Sequence, residues 1–454
     1  MPRTVPLPLS RVATAIVLGA IPLAATSSGQ GCPCGTAADD RVAAAAGLVR
    51  EWIVQVPFDA GAGRLENVVV GDGLVVAQST GGSVHAILGS TPGAAGPRAG
   101  TVAWSRTIGD VNGHAWPPTV GSRLVVVATE TDVHAIDRDT GAMLWERSTA
   151  TTTAGAAVQS DGWVYAPLQT HRLLRLPADP LVPPTPTQPP PAAKPASDRR
   201  GGQPAPPVPT ESLEPVSIDL GGNLDAWPVP MPGGVLWTTD AGLISLERTP
   251  LNWIRHSLPE SPPPSWVRRA AFALAGPPAV RDSTIFVTTP AGFVARIDLN
   301  AKNRPGLRTV WRTSLPDRAT SGPFVTDAVV VVSLGPGGCA AFSAADGHEL
   351  WRTDLVGIPV AGAAGAVWMI DSMERLTALD LATGSRRRSL GLGCFTLPVV
   401  NMLTERIVLA SPQGLVACLA PPPRPAAPAK PRPVSGGDQP PAESGTADPD
   451  ATPR

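Results

Sequence analysis

Cysteine is scarce in this 454-residue chain: there are five, and none stands at zinc-ligand spacing. Charge of one sign is also lacking. Lys and Arg total 36 against 37 Asp and Glu, a net charge of −1, so no bulk field recruits nucleic acid or an anionic membrane. The apolar run at residues 12–25 is too short to cross a bilayer as a helix. Familiar catalytic signatures are missing. The sequence has no GxSxG elbow, HExxH pair, P-loop, Rossmann glycine fingerprint or DxDxDG-like calcium loop. Its six His form no metal pair on the sequence either: His85 and His134 occupy the same place in two Val-His-Ala-Ile stretches, as strand residues in register would. Tyrosine is almost absent, with one residue beside 12 Trp, and this imbalance points to a structural use of Trp, which buries a large apolar area between neighbouring elements.

What the chain does contain is a repeat. Residues 133–145 read VHAIDRDTGAMLW, 339–351 read CAAFSAADGHELW, and 376–388 read LTALDLATGSRRR. Each opens as an alternating strand, breaks at a turn and resumes as a second strand. Asp and Thr hydrogen-bond their own backbone in such turns, and Gly141, Gly347 and Gly384 supply the positive φ that closes a hairpin. Degenerate copies recur at 84–88, 173–176, 243–247, 294–298 and 415–419, giving about eight copies spaced roughly 40–50 residues apart. Pro118, Pro228, Pro278, Pro323, Pro359 and Pro398 each precede an apolar run, a position where a strand tolerates proline. The unit predicts four strands in about 40 residues, the blade of a β-propeller. The last copy ends without a Trp strand, whereas residues 48–57 (LVREWIVQVP) are a Trp strand without a copy. An all-β, eight-bladed propeller whose N-terminal strand completes the final blade follows, with no long open edge.

These stretches resemble the PQQ-like (pyrroloquinoline quinone enzyme) propeller repeats, whose signature is Ala-x-Asp-x-x-Thr-Gly-x-x-x-Trp. Ala135, Asp137, Thr140, Gly141 and Trp145 fill it. Ala341, Gly347 and Trp351 fill it with Ser343 and Asp346 substituted, and Ala378, Asp380, Thr383 and Gly384 fill it with Arg388 in the Trp position. The resemblance covers roughly residues 48–419. It implies the fold more strongly than an activity, because function resides in sites rather than folds. Quinoprotein dehydrogenases with this repeat hold a quinone over calcium, commonly beside a disulfide between adjacent cysteines, and no Cys-Cys pair exists here. The nearest functional model in the family is the outer-membrane β-barrel assembly lipoprotein (BamB type), which lacks a cofactor.

The remainder divides into a leader (1–31), a flexible segment (32–47), the propeller (48–419) with a Pro-rich insertion at 177–215, and a Pro/Ala-rich tail (420–454). Insertion and tail lack the apolar content to offset ordering entropy and read as disordered. Arg3 and Arg11, the apolar run and the small residues after it read as an export signal. Three fates fit Cys32: lipidation, loss of the leader by ordinary cleavage, or retention as an anchor. Cys339, Cys394 and Cys418 stand in strand contexts as small core hydrophobes, with a disulfide between two of them left open.

Candidate partner-binding loops come from two Ala-Trp-Pro stretches, with His114 before Trp116 and Asp225 before Trp227, and from Trp266 and Arg268 beside a Pro-rich excursion. Trp and Arg are the residues that anchor interfaces. The Arg386–Arg388 run reads as a solvated turn, with an acidic or lipid-headgroup contact as the alternative. The expected function is therefore an exported, non-enzymatic scaffold with a protein partner in the cell envelope, no nucleic acid, no cofactor, and membrane contact only through an N-terminal lipid. The runners-up are a quinone-dependent dehydrogenase or its relic and an extracellular carbohydrate or peptide binder. Mass spectrometry of the mature protein should show loss of roughly the first 25–31 residues. Cys32→Ser should release it from detergent-extracted membranes if that residue is acylated.

Overall fold

The computed structural model describes residues 36–59, 61, 63–90, 97–108, 114–179, 215–220, 222–231, 234–239, 242–247, 267–270, 274–300 and 306–423. These residues form a β-propeller. Seven sheets are four-stranded antiparallel meanders, spanning residues 65–107, 119–148, 158–219, 224–270, 279–314, 324–353 and 357–391; they are numbered here as blades 1–7. An eighth, closing sheet has three strands, Ile407–Ala410, Leu415–Ala420 and Val49–Gln55.

The N-terminal strand pairs antiparallel with the last, from Val49 opposite Ala420 to Gln55 opposite Leu415. Arg406 reinforces this closure: its Nε and Nη2 donate to the two Glu51 carboxylate oxygens at 2.6 and 3.1 Å. Eight apolar clusters, one between each consecutive pair of sheets, complete the ring. Because each blade is sandwiched between two others, its middle strands are buried on both faces; Leu74–Ser79 and Gly234–Thr239 have no exposed position. This is why those strands read as continuous apolar runs rather than strict alternations.

The expectation of eight four-stranded blades is corrected to seven, with the closing sheet short by its inner strand. Where that strand should run, the chain touches the sheet only at a Leu397–Ala410 bridge. It then turns on Asn401, which is fully buried. The Asn401 side chain donates to Thr404 Oγ1 and the Arg406 carbonyl, both at 2.7 Å, and accepts from the N–H groups of Leu403 and Thr404 at 3.0 and 3.1 Å. Its own N–H donates to the Val360 carbonyl at 2.7 Å, in the first strand of blade 7. The segment thus pairs with the neighbouring blade instead of extending its own sheet.

Three further expectations change. Residues 36–47, read as flexible, contain a short helix, Asp40–Ala45, whose N-cap Asp39 accepts from the Arg41 N–H at 2.9 Å. Ala37, Ala38, Ala43 and Leu48 are buried in the cluster between blade 7 and the closing sheet. The insertion lies inside blade 3: Pro177 ends the third strand and Val216 begins the fourth, which pairs back from Arg175 to Arg172. Residues 180–214, and 424–454 of the tail, lie outside the described residues, and Ala420 is a strand residue. The proline marker also has two forms. Pro118, Pro278 and Pro323 precede first strands, but Pro228 and Pro359 lie within them, at register breaks that a missing N–H does not disturb. Pro398 precedes no strand.

The Trp-Gly signature has a role across blades. Trp104 of blade 1 lies on Gly141 of blade 2, where an added Cβ would stand 2.5 Å from the ring, and its Nε1 donates to the Arg138 carbonyl at 2.7 Å. Trp351 of blade 6 covers Gly384 of blade 7 at 2.6 Å by the same measure and donates to the Leu381 carbonyl at 2.9 Å. Trp311 covers Gly347, and Trp52 of the closing sheet covers Gly100 of blade 1. Trp145 donates across to the Ala178 carbonyl of blade 3 at 2.8 Å. Asp137 secures the turn, accepting from the N–H and hydroxyl of Thr140 at 2.8 and 2.7 Å, bonds that hold its carboxyl below the usual range. Asp380 is held at about 2 by the Arg387 guanidinium and the Thr383 N–H.

The two registered histidines are buried in the third strands of blades 1 and 2. His85 stands between hydroxyls, Nδ1 2.8 Å from Ser105 Oγ and Nε2 3.0 Å from Ser83 Oγ. Burial lowers its pKa from 6.5 to about 4. His134 is lowered for the same reason, opposed by Glu146 and Asp132.

Trp145→Ala should lower stability by about 3–5 kcal/mol, the cost of a large buried aromatic, read as a fall in the urea midpoint. An unchanged midpoint would mean that the ring contributes nothing to docking blade 3. The histidines predict a pH dependence. Above pH 6.5 His85 is neutral in both states and its contribution is complete; as pH falls toward about 4 the unfolded chain binds the proton first, so stability declines. Between pH 7.5 and 5 the part due to His85 should be about 1–2 kcal/mol, and His85→Gln should remove it from the urea midpoint profile.

Candidate binding face

An antiparallel meander places its loops by necessity. The turns between second and third strands share one end of the ring with the segments entering each blade; here this is called the entry face. The other two turns, including the Asp-x-x-Thr-Gly hairpins, share the opposite face. The entry segment of blade 2 carries His114 and Trp116, and an Ala115–Thr129 bridge fixes it to the turn of the same blade.

Trp227 reaches this face by a different device. In the first strand of blade 4, Ala226 pairs with Thr238 and Val229 with Leu236, leaving an extra residue on the first strand. Such a bulge re-aims a side chain. Pro228 is buried, whereas Trp227 is 38% exposed, high for so large an apolar residue. The two Trp, from blades on either side of blade 3, meet above the entry to that blade. Their ring centroids are 6.2 Å apart and edge-on, and His114 stands edge-on to Trp116 at 4.8 Å. Trp116 is oriented by its Nε1, which donates to Thr153 Oγ1 at 2.8 Å; that hydroxyl donates in turn to the Thr129 carbonyl at 2.6 Å. Gly155 clears the floor, since a Cβ there would stand 3.2 Å from Trp227. The result is an aromatic ledge on which the Trp227 and His114 rings are exposed.

The other sequence candidates fall elsewhere. Asp225 lies in the same strand as Trp227, Arg268 lies in the outermost strand of blade 4 opposite Ser245, and Trp266 and Cys32 lie outside the described residues. Arg386 pairs with Asp354 at 3.0 Å and Arg387 with Asp380 at 2.5 Å, so two members of that arginine run are engaged within the blades. Sequence reasoning missed a cavity of about 390 Å³ on the entry face of blade 1, lined by Phe58, Asp59, Ser83, His85, Ser105 and Arg106 among others. Its signal was the clustering of Ser around His85, which the repeat register made look incidental.

Among the described residues no group of His, Cys, Asp and Glu is placed to hold a metal ion, and no helix is long and apolar enough to cross a membrane. Cys339 and Cys418 are buried free thiols whose pKa burial pushes up to about 12, whereas Cys394 is disulfide-bonded, a correction to its reading as a plain core hydrophobe.

The family model for the outer membrane protein assembly factor BamB matches residues 89–179 and 230–393, over half of the chain, and breaks where blade 3 carries its insertion. Among solved structures the chain is similar to BamB from Moraxella catarrhalis, at 16% identity and a TM-score of 0.56, covering 82% of this chain and 97% of that one. It is also similar to the computationally designed Ika8 protein, at 11% identity and a TM-score of 0.51, covering 81% and 99%. Both likenesses show the fold. No curated protein sequence matches the chain. With its PQQ-like repeats, its ring of blades and this match, the chain belongs to the outer membrane protein assembly factor BamB family.

Proposed function

We propose that this protein is an exported, non-enzymatic scaffold that binds a protein partner in the cell envelope, in the assembly of outer-membrane proteins. The observation that carries the reading is the aromatic ledge of His114, Trp116 and Trp227 on the entry face. Large rings held rigidly with one face open lose little entropy when a partner covers them, and Trp is enriched among residues that dominate interfaces. Trp227 stands on a strand, and the segment that carries His114 and Trp116 is fixed by the Ala115–Thr129 bridge, so the ledge's geometry is set before a partner arrives. The family name supports the envelope role, and the sequence supports export through its N-terminal signal.

Cross-linked full-length protein recovered from envelope fractions should capture an outer-membrane protein or assembly component. Trp227→Ala should cut that capture at least about tenfold, the effect of losing a hot-spot ring, while leaving the urea midpoint within about 0.5 kcal/mol. Unchanged capture would remove the ledge from the interface. The non-enzymatic reading has its own assay. Purified protein given pyrroloquinoline quinone and calcium should reduce no dye with alcohols or sugars, and cofactor-dependent turnover would replace the scaffold by a dehydrogenase.

A further inference from the structure

The cavity on the entry face of blade 1 has no part in the aromatic ledge. Its volume of about 390 Å³ falls in the range of small-molecule sites, roughly 300–1,000 Å³. One wall comes from the third and fourth strands of blade 1, Ser83–Leu88 and Val102–Thr107. The other includes Phe58, which follows the outer strand of the closing sheet and lies on Gly414, where an added Cβ would collide with its ring. Ile87, two residues beyond His85, belongs to the apolar cluster that joins the closing sheet to blade 1, so His85 faces the same seam.

The polar lining is one connected chain. Ser79 Oγ is 2.6 Å from Ser83 Oγ, Ser83 Oγ is 3.0 Å from His85 Nε2, and His85 Nδ1 is 2.8 Å from Ser105 Oγ. Burial keeps the ring neutral, with a pKa of about 4, so one ring nitrogen donates and the other accepts. Three hydroxyl protons and one ring N–H serve three bonds, so one proton is left over. Run head to tail, the chain leaves it on Ser79 in one direction and on Ser105 in the other, and both residues line the cavity. The end without it presents lone pairs. A ligand hydroxyl, which both donates and accepts, suits either direction; a carboxylate offers acceptors alone and an ammonium donors alone.

The rim carries one charge of each sign. Arg106 is anchored by its Nε, which donates to the Gly141 carbonyl at 2.8 Å, and Asp59 by its Oδ1, which accepts from the Gly61 N–H at 2.9 Å. Their remaining donors and acceptors suit hydroxyls and favour no net charge. We propose that this cavity binds an uncharged saccharide, its hydroxyls read by the Ser79–Ser83–His85–Ser105 chain, Arg106 and Asp59, and an apolar face of the sugar ring set against Phe58. The repeat supplies an internal comparison. His134 holds the register position of His85 in blade 2, but Asp132 and Glu146 stand where blade 1 has Ser83 and Ser105. Neither His134 ring nitrogen has a hydrogen-bond partner, and its Nδ1 is 3.7 Å from Glu146. The repeat therefore accounts for the histidine and not for the serines around it.

The inference does not rest on the scaffold reading. Full-length protein should be examined by saturation-transfer NMR with glucose, galactose, mannose, N-acetylglucosamine and maltose, and with glucuronate and glucosamine as charged counterparts. At least one neutral sugar should bind with a Kd of about 10 mM or below, and more tightly than either charged sugar. Ser105 is exposed, so Ser105→Ala should keep the urea midpoint while weakening that sugar at least about fivefold, the effect of one hydrogen bond. Ser105→Thr, which keeps the hydroxyl, should restore binding, and Glu146→Ala, the counterpart in blade 2, should leave it unchanged. Absence of transfer to every neutral sugar, tighter binding of a charged one, or equal affinity in Ser105→Ala overturns the proposal.

Discussion

A tryptophan ring of one blade lying flat on a glycine of the next is the contact on which this ring depends. It joins three requirements in one place. The hairpin needs a positive φ, which glycine supplies; the ring needs a flat floor, which only a residue without Cβ leaves; and the indole N–H needs an acceptor, which the hairpin carbonyls provide at 2.7 Å from Trp104 and 2.9 Å from Trp351. The motif is thus a statement about two adjacent blades, although it is written within one.

The seams that depart from this contact show what replaces it. Between blades 3 and 4 the Trp lie inside the sheets: Trp163 and Trp237 are wholly buried in second strands, and Trp237 donates to the Leu220 carbonyl at 3.1 Å. Blade 7 has Arg388 in the Trp position, and the sheet that follows offers no hairpin to receive a ring, because its outer strand comes from the N-terminus. The short helix and Leu48 fill that seam together with Leu390 and Leu419. The substitution that weakened the motif in the sequence is a response to ring closure.

Much of the fold was legible because a repeat imposes its period on every copy. Asp137, Gly141 and Trp145 announced the hairpin, and residues 48–57 announced the closing strand. The three-stranded closing sheet was not legible, since it turns on Asn401, whose four side-chain hydrogen bonds lie within residues 401–406 and carry no periodic signal. The aromatic ledge was half legible. The Ala-Trp-Pro stretches pointed to Trp116 and Trp227, but the bulge in blade 4 explains how two residues from blades that are not neighbours in the ring come to share one ledge. Arg268 stands apart from the ledge in the outermost strand of blade 4, because nearness in sequence to a Trp does not fix which strand of a blade will carry a residue.

Pairing of residues 49–55 with 415–420 also fixes an order of events in time. Synthesis delivers the first of these strands before any blade exists, and its partner only when every blade has emerged. Until then a seven-residue strand with a Trp at its centre has no native edge to join, and the closing sheet of the ring cannot be completed by local pairing. Propellers sealed in this way are bound to fold as a late, long-range closure on sheets formed early. The interval between the first strand's appearance and its use is when such a chain is most open to mispairing.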